Sequence, residues 1–214
     1  MIDTIVLDIG DVLVEYDWDS FMESQFQQEE IEVITECIWY KGEWEKLDRG
    51  VLSAETIRTN MVSYAPEYRK QIEWAFDHVC ECIRMRPYAI KWIKELKYKG
   101  YEVYYLSNYS EHVKQGNPEA LRFIPHLDGG IFSCEAKVIK PEKEIYQRFF
   151  EKYHKAPQRC VFIDDRKENV EEAIKCGMKG IVFRDYEQCL SDLNNILKAG
   201  VIERRIGIEV TQKE

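Results

Sequence analysis

Short apolar runs, rich in β-branched residues, alternate with helical patterns through most of this 214-residue chain. Runs of this length are typical of strands buried on both faces, and the helices between them favour right-handed crossovers. Pro87 and Pro141 each open a predicted helix, and Gly100 and Gly177 each end one. The sequence therefore predicts an α/β fold with a doubly wound parallel sheet. The predicted strands are residues 4–8, 101–107, 131–133, 160–164 and 180–183.

The stretch between the first and second strands has a different pattern. Strand-like runs are absent there, and apolar residues such as Trp18, Phe21 and Met22 recur at helical spacing. Ser53, before Ala-Glu-Thr, is typical of a helix N-cap. We expect residues 1–15 and 85–214 to form the α/β core. Residues 16–84 are expected to form an all-helical domain, called the helical insertion below, whose aromatic residues form a packed core.

Composition excludes several classes of protein. The net charge of −9 makes the chain a poor partner for nucleic acid or an anionic membrane. Its apolar runs are far shorter than the ~20 residues of a membrane-spanning helix. The first residues, MIDTIVLDIGD, lack the pattern of a secretory signal, and seven cysteines is an odd number. We therefore expect a cytoplasmic protein with reduced thiols and no nucleic-acid or membrane partner. The tail after Gly200 is expected to form a final edge strand.

Polar side chains follow the predicted strands at the edge where open α/β sheets bind ligands. Clustered carboxylates repel one another unless a hard cation lies among them, and Mg²⁺ prefers oxygen ligands. A lysine, a serine hydroxyl and an asparagine amide are suited to hold phosphoryl oxygens. The sequence therefore predicts a magnesium-dependent site for in-line attack on a phosphate. Its residues are Asp8, Ser107, Asn108, Lys140, Asp164 and Asp165.

Four segments resemble the motifs of the haloacid dehalogenase-like superfamily, and closely those of its cytoplasmic small-molecule phosphatases. In chain order they are VLDIGDVLV, YYLSNYS, KPEKEIY and VFIDDRKENVEEAIKCG, and the similarity spans essentially the whole chain. The resemblance implies a Rossmann-like core and a helical cap of the C1 type, inserted between the first two motifs. It also makes Asp8 the aspartyl nucleophile and gives Asn169 a role in ordering the fourth motif.

The resemblance implies roles for further residues. In the helical insertion, LDRGVLS resembles a cap loop, which makes Asp48, Arg49 and Gly50 candidates for facing the substrate. The expected catalytic residues are Asp8, Asp11, Ser107 and Lys140. The expected phosphate or substrate contacts are Ser107, Asn108, Lys140 and Arg49. The expected magnesium ligands are Asp8, the Gly10 carbonyl, Asp164 and Asp165.

One position departs from the usual motif. Most phosphatases of the superfamily carry a second aspartate two residues after the nucleophile, as general acid for the leaving alcohol. Here that position is Gly10, and Asp11 follows it. The alternatives for the leaving-group proton are a metal-bound water, Asp11, or an acid from residues 15–19.

The combined features favour Mg²⁺-dependent hydrolysis of a small phosphomonoester, such as a sugar or other metabolite phosphate, through a phosphoaspartyl intermediate. One alternative is a 2-haloacid dehalogenase, which would use Asp8 without a metal. The acidic pair Asp164–Asp165 counts against it, because dehalogenases of this superfamily lack a metal-binding pair there. The other alternative is a binding or regulatory protein that kept the fold and lost the proton donor, and Gly10 is its only support.

Overall fold

The computed structural model describes residues 1–211, and the side chains as far as Lys198. Its seven strands are β1 (Thr4–Leu7), β2 (Val14–Tyr16), β3 (Ile83–Met85), β4 (Glu102–Ser107), β5 (Gly129–Phe132), β6 (Cys160–Asp164) and β7 (Lys179–Val182). Five of them form a parallel sheet in the order β5-β4-β1-β6-β7. The predicted α/β fold with a parallel sheet is therefore confirmed, and each predicted strand lies within two residues of an observed one.

Both faces of the sheet are covered, and the side chains of the central strand β1 alternate between them. Ile5 and Leu7 belong to one apolar cluster and Val6 to the other. The cluster around Ile5 continues into the helical insertion, where Met22 and Ile57 are fully buried. Burial on both faces explains why the strand sequences are almost continuously apolar.

Helices make up the connections. In the insertion they are α1 (Trp18–Glu23), α2 (Gln28–Thr35), α3 (Glu43–Arg49), α4 (Ala54–Tyr64) and α5 (Arg69–His78), with a π-helical turn at Glu36–Tyr40. In the rest of the chain they are α6 (Ala89–Tyr98), α7 (Glu111–Gly116), α8 (Ser133–Ala136), α9 (Lys143–Tyr153), α10 (Lys167–Lys175) and α11 (Tyr186–Thr211). Short 3₁₀ turns lie at Pro66–Tyr68, Val79–Cys82, Pro118–Leu121, Ile124–His126 and Pro157–Arg159. Ser53 caps α4 as predicted, its hydroxyl accepting the Thr56 N–H at 3.1 Å.

A two-stranded antiparallel ribbon stands where the chain leaves the sheet and returns to it. Strand β2 pairs with β3, and Val14 lies opposite Met85. With three residues in each strand, this ribbon is too short to produce a recognisable alternation in the sequence, and it was not predicted. All helices from α1 to α5 lie between its two strands in the chain. The division into residues 1–15 and 85–214 against residues 16–84 stays a prediction.

The predicted edge strand after Gly200 is wrong. Helix α11 starts at Tyr186 and continues through this segment to Thr211, so the backbone does not return to the sheet edge. None of the helices in residues 1–211 combines the length and the apolar character needed to cross a bilayer.

Candidate active site

Lys140 lies between two buried carboxylates at the carboxyl edge of the sheet. Its Nζ atom is 2.8 Å from Oδ1 of Asp8 and 2.6 Å from Oδ2 of Asp164. Asp8 follows β1 and Asp164 ends β6, and these strands are neighbours with Leu7 paired to Ile163. The parallel register therefore places the two acids side by side. All three side chains are at least nine-tenths buried.

Asp164 accepts four hydrogen bonds from three donor groups. Its Oδ1 accepts the Arg166 N–H and the Asn169 amide, both at 2.9 Å. Its Oδ2 accepts Lys140 at 2.6 Å and the Asn169 amide again at 3.1 Å. A carboxylate offers about four lone-pair positions, so protein donors use the capacity of Asp164. This carboxylate is therefore built to orient Lys140 and the loop after β6, with Asn169 ordering that loop.

Asp8 has a different hydrogen-bond pattern. The Ile9 N–H donates to its Oδ1 at 2.6 Å, and Lys140 contacts the same oxygen. Within the part of the chain that the structure describes, Oδ2 of Asp8 accepts no hydrogen bond. One oxygen is thus fixed while the other stays available to react or to bind.

Three carboxylates form a tight cluster with a single lysine. Asp8, Asp164 and Asp165 each offer an oxygen, and these oxygens lie within 4.8 Å of one another. Burial, reinforced by the neighbouring carboxylates and opposed by Lys140, raises the pKa of Asp8 to about 8. Burial and the charge of Asp164 raise the pKa of Asp165 to about 6. The cluster thus carries more negative charge than its lysine compensates, and a divalent cation with oxygen ligands fits it.

Asn108 and Ser107 lie at the end of the neighbouring strand β4. The Asn108 amide donates to the Lys140 carbonyl at 3.0 Å and accepts the Lys140 N–H at 2.8 Å, which fixes the backbone that carries the lysine. Ser107 is fully buried, and its hydroxyl has no hydrogen-bond partner among the described residues. A buried hydroxyl without a partner is costly, which is consistent with a role in binding an absent ligand.

A cavity of about 370 Å³ separates this edge from the helical insertion. The sheet side contributes polar groups, and the insertion contributes mainly aromatic ones. From the α/β side the lining residues are Asp8, Gly10, Asp11, Asn108, Lys140, Asp165, Arg166 and Asn169. From the insertion they are Tyr16, Trp18, Asp19, Thr35, Trp39, Tyr40, Trp44 and Asp48.

Residues 48–50, the end of α3 and its C-cap Gly50, are fastened to the core by three contacts. The Ser133 hydroxyl donates to the Asp48 carbonyl at 2.5 Å, and Lys137 donates to the Gly50 carbonyl at 2.6 Å. Arg49 forms a two-pronged ion pair with Glu142 at 2.8 and 2.5 Å. The Arg49 guanidinium is thus committed to this pair and does not line the cavity.

Gly50 permits the close approach of the end of α3 to Cys134. Its φ angle is +68°, and a Cβ atom there would lie 2.7 Å from the Cys134 carbonyl oxygen. Such a distance is not tolerated against backbone, so only glycine fits this position without displacement.

Three further carboxyls line the cavity besides the acidic cluster, those of Asp11, Asp19 and Asp48. Burial raises the pKa of Asp48 to about 7, although Lys140 and Arg166 oppose the shift. Burial also raises the pKa of Asp11, which adopts a left-handed backbone with φ of 53°. Gly10 lines the cavity without a side chain, and a Cβ atom there would meet only Tyr16, at 3.7 Å. Gly10, at the motif position of the usual second aspartate, therefore has space beside it for a side chain.

Several lining residues escaped the sequence analysis. Arg166 directly follows the acidic pair, and its position in that motif was an available signal. Trp39 and Tyr40 reach the cavity from the π-helical turn, a feature that apolar periodicity does not reveal. The expectation that the aromatic residues only form a packed core was therefore incomplete, because Trp39 and Trp44 also line the cavity.

Comparison with known proteins identifies the class. The sequence model of the haloacid dehalogenase-like hydrolases matches residues 2–177. The chain belongs to this family and is a hydrolase, as its motifs predicted.

Individual relatives extend the comparison. The sesquiterpene phosphatase astK of Aspergillus oryzae is 24% identical over 184 residues, covering 84% of this chain and 89% of that protein. The HAD family enzyme bt-2542 of Bacteroides thetaiotaomicron, solved with magnesium and inorganic phosphate, has a TM-score of 0.70 at 21% identity. That match covers 88% of this chain and 99% of the other. A HAD-like family hydrolase from Porphyromonas gingivalis has a TM-score of 0.73 at 23% identity, covering 92% and 98% of the two chains. These structural similarities establish the fold.

Proposed function

We propose that this hydrolase removes phosphate from a small phosphomonoester, with Mg²⁺ as cofactor and Asp8 as nucleophile. The observation that carries the proposal is the position of Lys140 between Asp8 and Asp164, beside a third carboxylate and an open cavity. The matches to a sesquiterpene phosphatase and to an enzyme solved with magnesium and phosphate support the same chemistry.

The nucleophilic step follows from the hydrogen bonds of Asp8. Its free oxygen, Oδ2, attacks phosphorus, and the bond from phosphorus to the ester oxygen breaks as the new bond forms. Water then attacks the phosphoaspartate, which releases inorganic phosphate and regenerates Asp8. Asp8 must be ionised to attack. Lys140 opposes the burial that raises the pKa of Asp8, and a bound Mg²⁺ would add a second positive charge that favours the carboxylate.

Lys140 supplies a permanent charge. Burial disfavours its cation, but Asp164 and Asp8 outweigh burial and hold the lysine pKa above its usual value. The ammonium group is therefore suited to bind a phosphoryl oxygen as negative charge develops. We assign phosphate binding to Lys140 together with the Ser107 hydroxyl and the Asn108 segment. Arg49 is proposed to position the end of α3, which carries Asp48, through its ion pair with Glu142.

The residues fit a magnesium ion. Asp8, Asp165 and the Gly10 carbonyl are the proposed ligands, whereas Asp164, already saturated by donors, is proposed to act mainly through Lys140. When bound, Mg²⁺ neutralises negative charge in the cluster and polarises the phosphoryl group.

The leaving alkoxide needs a proton, and three carboxyls outside the metal cluster line the cavity, those of Asp11, Asp19 and Asp48. Burial raises the pKa of Asp48 to about 7, which brings it near neutral pH and suits a general acid. We propose Asp48 as the principal donor and Asp11 as a partial one. Asp11→Asn is then expected to lower turnover only in part.

We also propose a cytoplasmic location. All seven cysteines lie within the described residues, and all are free thiols. Free thiols are typical of reducing compartments.

A phosphatase assay with p-nitrophenyl phosphate and Mg²⁺ tests the proposal. Asp8→Asn is expected to abolish turnover, because an amide does not attack phosphorus. Asp3→Asn, just before the opposite end of the same strand, is the matched control and should retain activity. Equal rates for wild type and Asp8→Asn would contradict the proposal.

A further inference from the structure

The aromatic residues of the insertion form one continuous surface of the cavity, opposite the phosphate site. We call Trp18, Trp39, Tyr40 and Trp44 the aromatic wall. The rings of Trp18 and Trp39 meet edge to face at 5.3 Å, and those of Trp39 and Trp44 lie 4.3 Å apart. Because Trp39 packs against both Trp18 and Trp44, these three rings form a preformed surface that does not need a ligand to order it.

The wall offers few polar contacts to a leaving group. The Trp18 indole N–H donates to the Thr35 hydroxyl at 3.0 Å, so these two polar groups satisfy each other. Sugars are recognised by convergent hydrogen-bonding groups, and this side of the cavity is lined mainly by aromatic side chains. Two charged side chains of the insertion also line the cavity, and both are acidic, Asp19 and Asp48. Acidic groups disfavour a second negative charge on the substrate.

The cavity is small. Its volume of about 370 Å³ is near the lower end of the roughly 300–1,000 Å³ of ligand pockets. Beside a phosphate group, such a space suits one ring system or a short hydrocarbon group. The aromatic wall favours a planar group, which would stack on the indole faces.

We infer that the substrate is a monophosphate ester of an aromatic or other planar apolar alcohol, whose leaving group stacks on the aromatic wall while its phosphate binds beside Lys140. The inference rests on the proposed function for its chemistry, but the binding of a planar group to the aromatic wall can be measured without turnover. It replaces the broader expectation of a sugar or other metabolite phosphate.

The first test measures binding without turnover. Benzylphosphonate and 2,3-dihydroxypropylphosphonate are titrated with Mg²⁺ into the wild-type protein, and tryptophan fluorescence and calorimetry report the affinity. We expect benzylphosphonate to bind about threefold to tenfold more tightly than the dihydroxypropyl compound, which is the contribution of one aromatic contact. Equal affinities would overturn the inference, and so would tighter binding of the dihydroxypropyl compound.

The second test measures turnover with benzyl phosphate and glycerol 3-phosphate, both esters of primary alcohols. A preference in binding without hydrolysis of either ester would refute the proposed phosphatase activity and leave the wall assignment standing. Hydrolysis of both esters at equal kcat/KM, with equal phosphonate affinities, would refute the wall and leave the phosphatase standing.

Variants localise the preference. Trp39→Leu is expected to lower benzylphosphonate affinity about threefold to tenfold and to change that of the dihydroxypropyl compound less. Tyr40→Ala is a second variant that should fold normally, because Tyr40 is 72% exposed at the cavity mouth. Trp74→Leu is the matched control in the same insertion, since Trp74 stacks on Phe21 and His78 and does not line the cavity. An equal loss of preference in Trp74→Leu would contradict the assignment.

Discussion

The Nζ atom of Lys140 lies 2.6 Å from Oδ2 of Asp164, with both side chains almost completely buried. Asp165, the next residue, is instead part of an uncompensated cluster, and its pKa is raised to about 6. The two neighbouring acids thus have opposite effects on the stability of the folded protein. The Asp164 carboxylate stabilises the buried Lys140 cation, whereas burial and the charge of Asp164 disfavour the Asp165 carboxylate.

This contrast predicts opposite stability effects in metal-free protein. Asp164→Asn leaves a buried lysine without its main partner and should cost about 3–5 kcal/mol of unfolding free energy. Asp165→Asn removes repulsion and should be neutral or stabilising at pH 8. Urea unfolding with EDTA present measures both. Similar destabilisation by the two substitutions would contradict this account of the cluster.

With magnesium bound, the Asp165 carboxylate should stabilise the folded protein, whereas it destabilises the metal-free protein. Ligand binding to the folded state raises stability in proportion to the logarithm of ligand concentration. Added Mg²⁺ should therefore raise the melting temperature of the wild type, and the rise should be lost or strongly reduced in Asp165→Asn. Asp3→Asn, far from the cluster, serves as the control. An undiminished magnesium shift in Asp165→Asn would exclude Asp165 as a ligand.

The raised pKa of Asp48 makes stability depend on pH. Its pKa is about 7 in the folded protein, against about 3.9 for an ordinary aspartate, so the unfolded chain loses its proton first. This group therefore lowers wild-type stability as pH rises from about 4 to 7, and the loss is complete above that range.

Asp48→Asn should be progressively more stable than the wild type across this range. Urea unfolding at several pH values measures the difference, and Glu55→Gln, an exposed acid of α4, is the control. A difference independent of pH would show that the Asp48 carboxyl is not held in its neutral form.

The space at Gly10 predicts that an aspartate can be restored there. A Cβ atom at this position has ordinary contacts only, so Gly10→Asp should fold. In an Asp48→Asn background it should raise kcat for benzyl phosphate about tenfold or more, since a general acid contributes roughly 10²–10⁴. For p-nitrophenyl phosphate, whose leaving group needs no proton, the change should be small. A uniform change for both esters would indicate a different cause.

The ion pair between Arg49 and Glu142 should affect catalysis more than stability. The pair is partly exposed, so Glu142→Gln should change the unfolding free energy by about 1 kcal/mol or less. Release of the end of α3 should nevertheless displace Asp48 and lower kcat for benzyl phosphate more than for p-nitrophenyl phosphate. A double variant with both Arg49→Glu and Glu142→Arg exchanges the two charges and should restore part of the lost kcat. An unchanged ratio of the two rates in Glu142→Gln would contradict a positioning role.

The sequence predicted the positions that depend on local pattern. Asp8 and Asp164 follow recognisable buried strands, and adjacent parallel strands place their ends together. Lys140 was placed in the site because a lysine suits a phosphate beside clustered carboxylates, and its motif agreed. Its two buried ion pairs were not predicted, because no local property of a loop lysine indicates them.

The rest depends on contacts between distant segments. Arg49 and Glu142 are 93 residues apart, and the Asn108 contacts with the Lys140 backbone span 32 residues. Trp39 lines the cavity from a π-helical turn, which apolar periodicity does not reveal. In the tail the segment IERRIGIEV was expected to form a strand, and helix α11 continues there instead.

The helical insertion is joined to the core by the β2–β3 ribbon, by the contacts of residues 48–50, and by the stacking of Phe76 on His112. Segments at these attachments are restrained, and Asp48 belongs to one of them, whereas Tyr40 is 72% exposed. Opening of the cavity would therefore displace Tyr40 more than Asp48. The protein would thus exchange its ligands without dismantling the chemistry that acts on them.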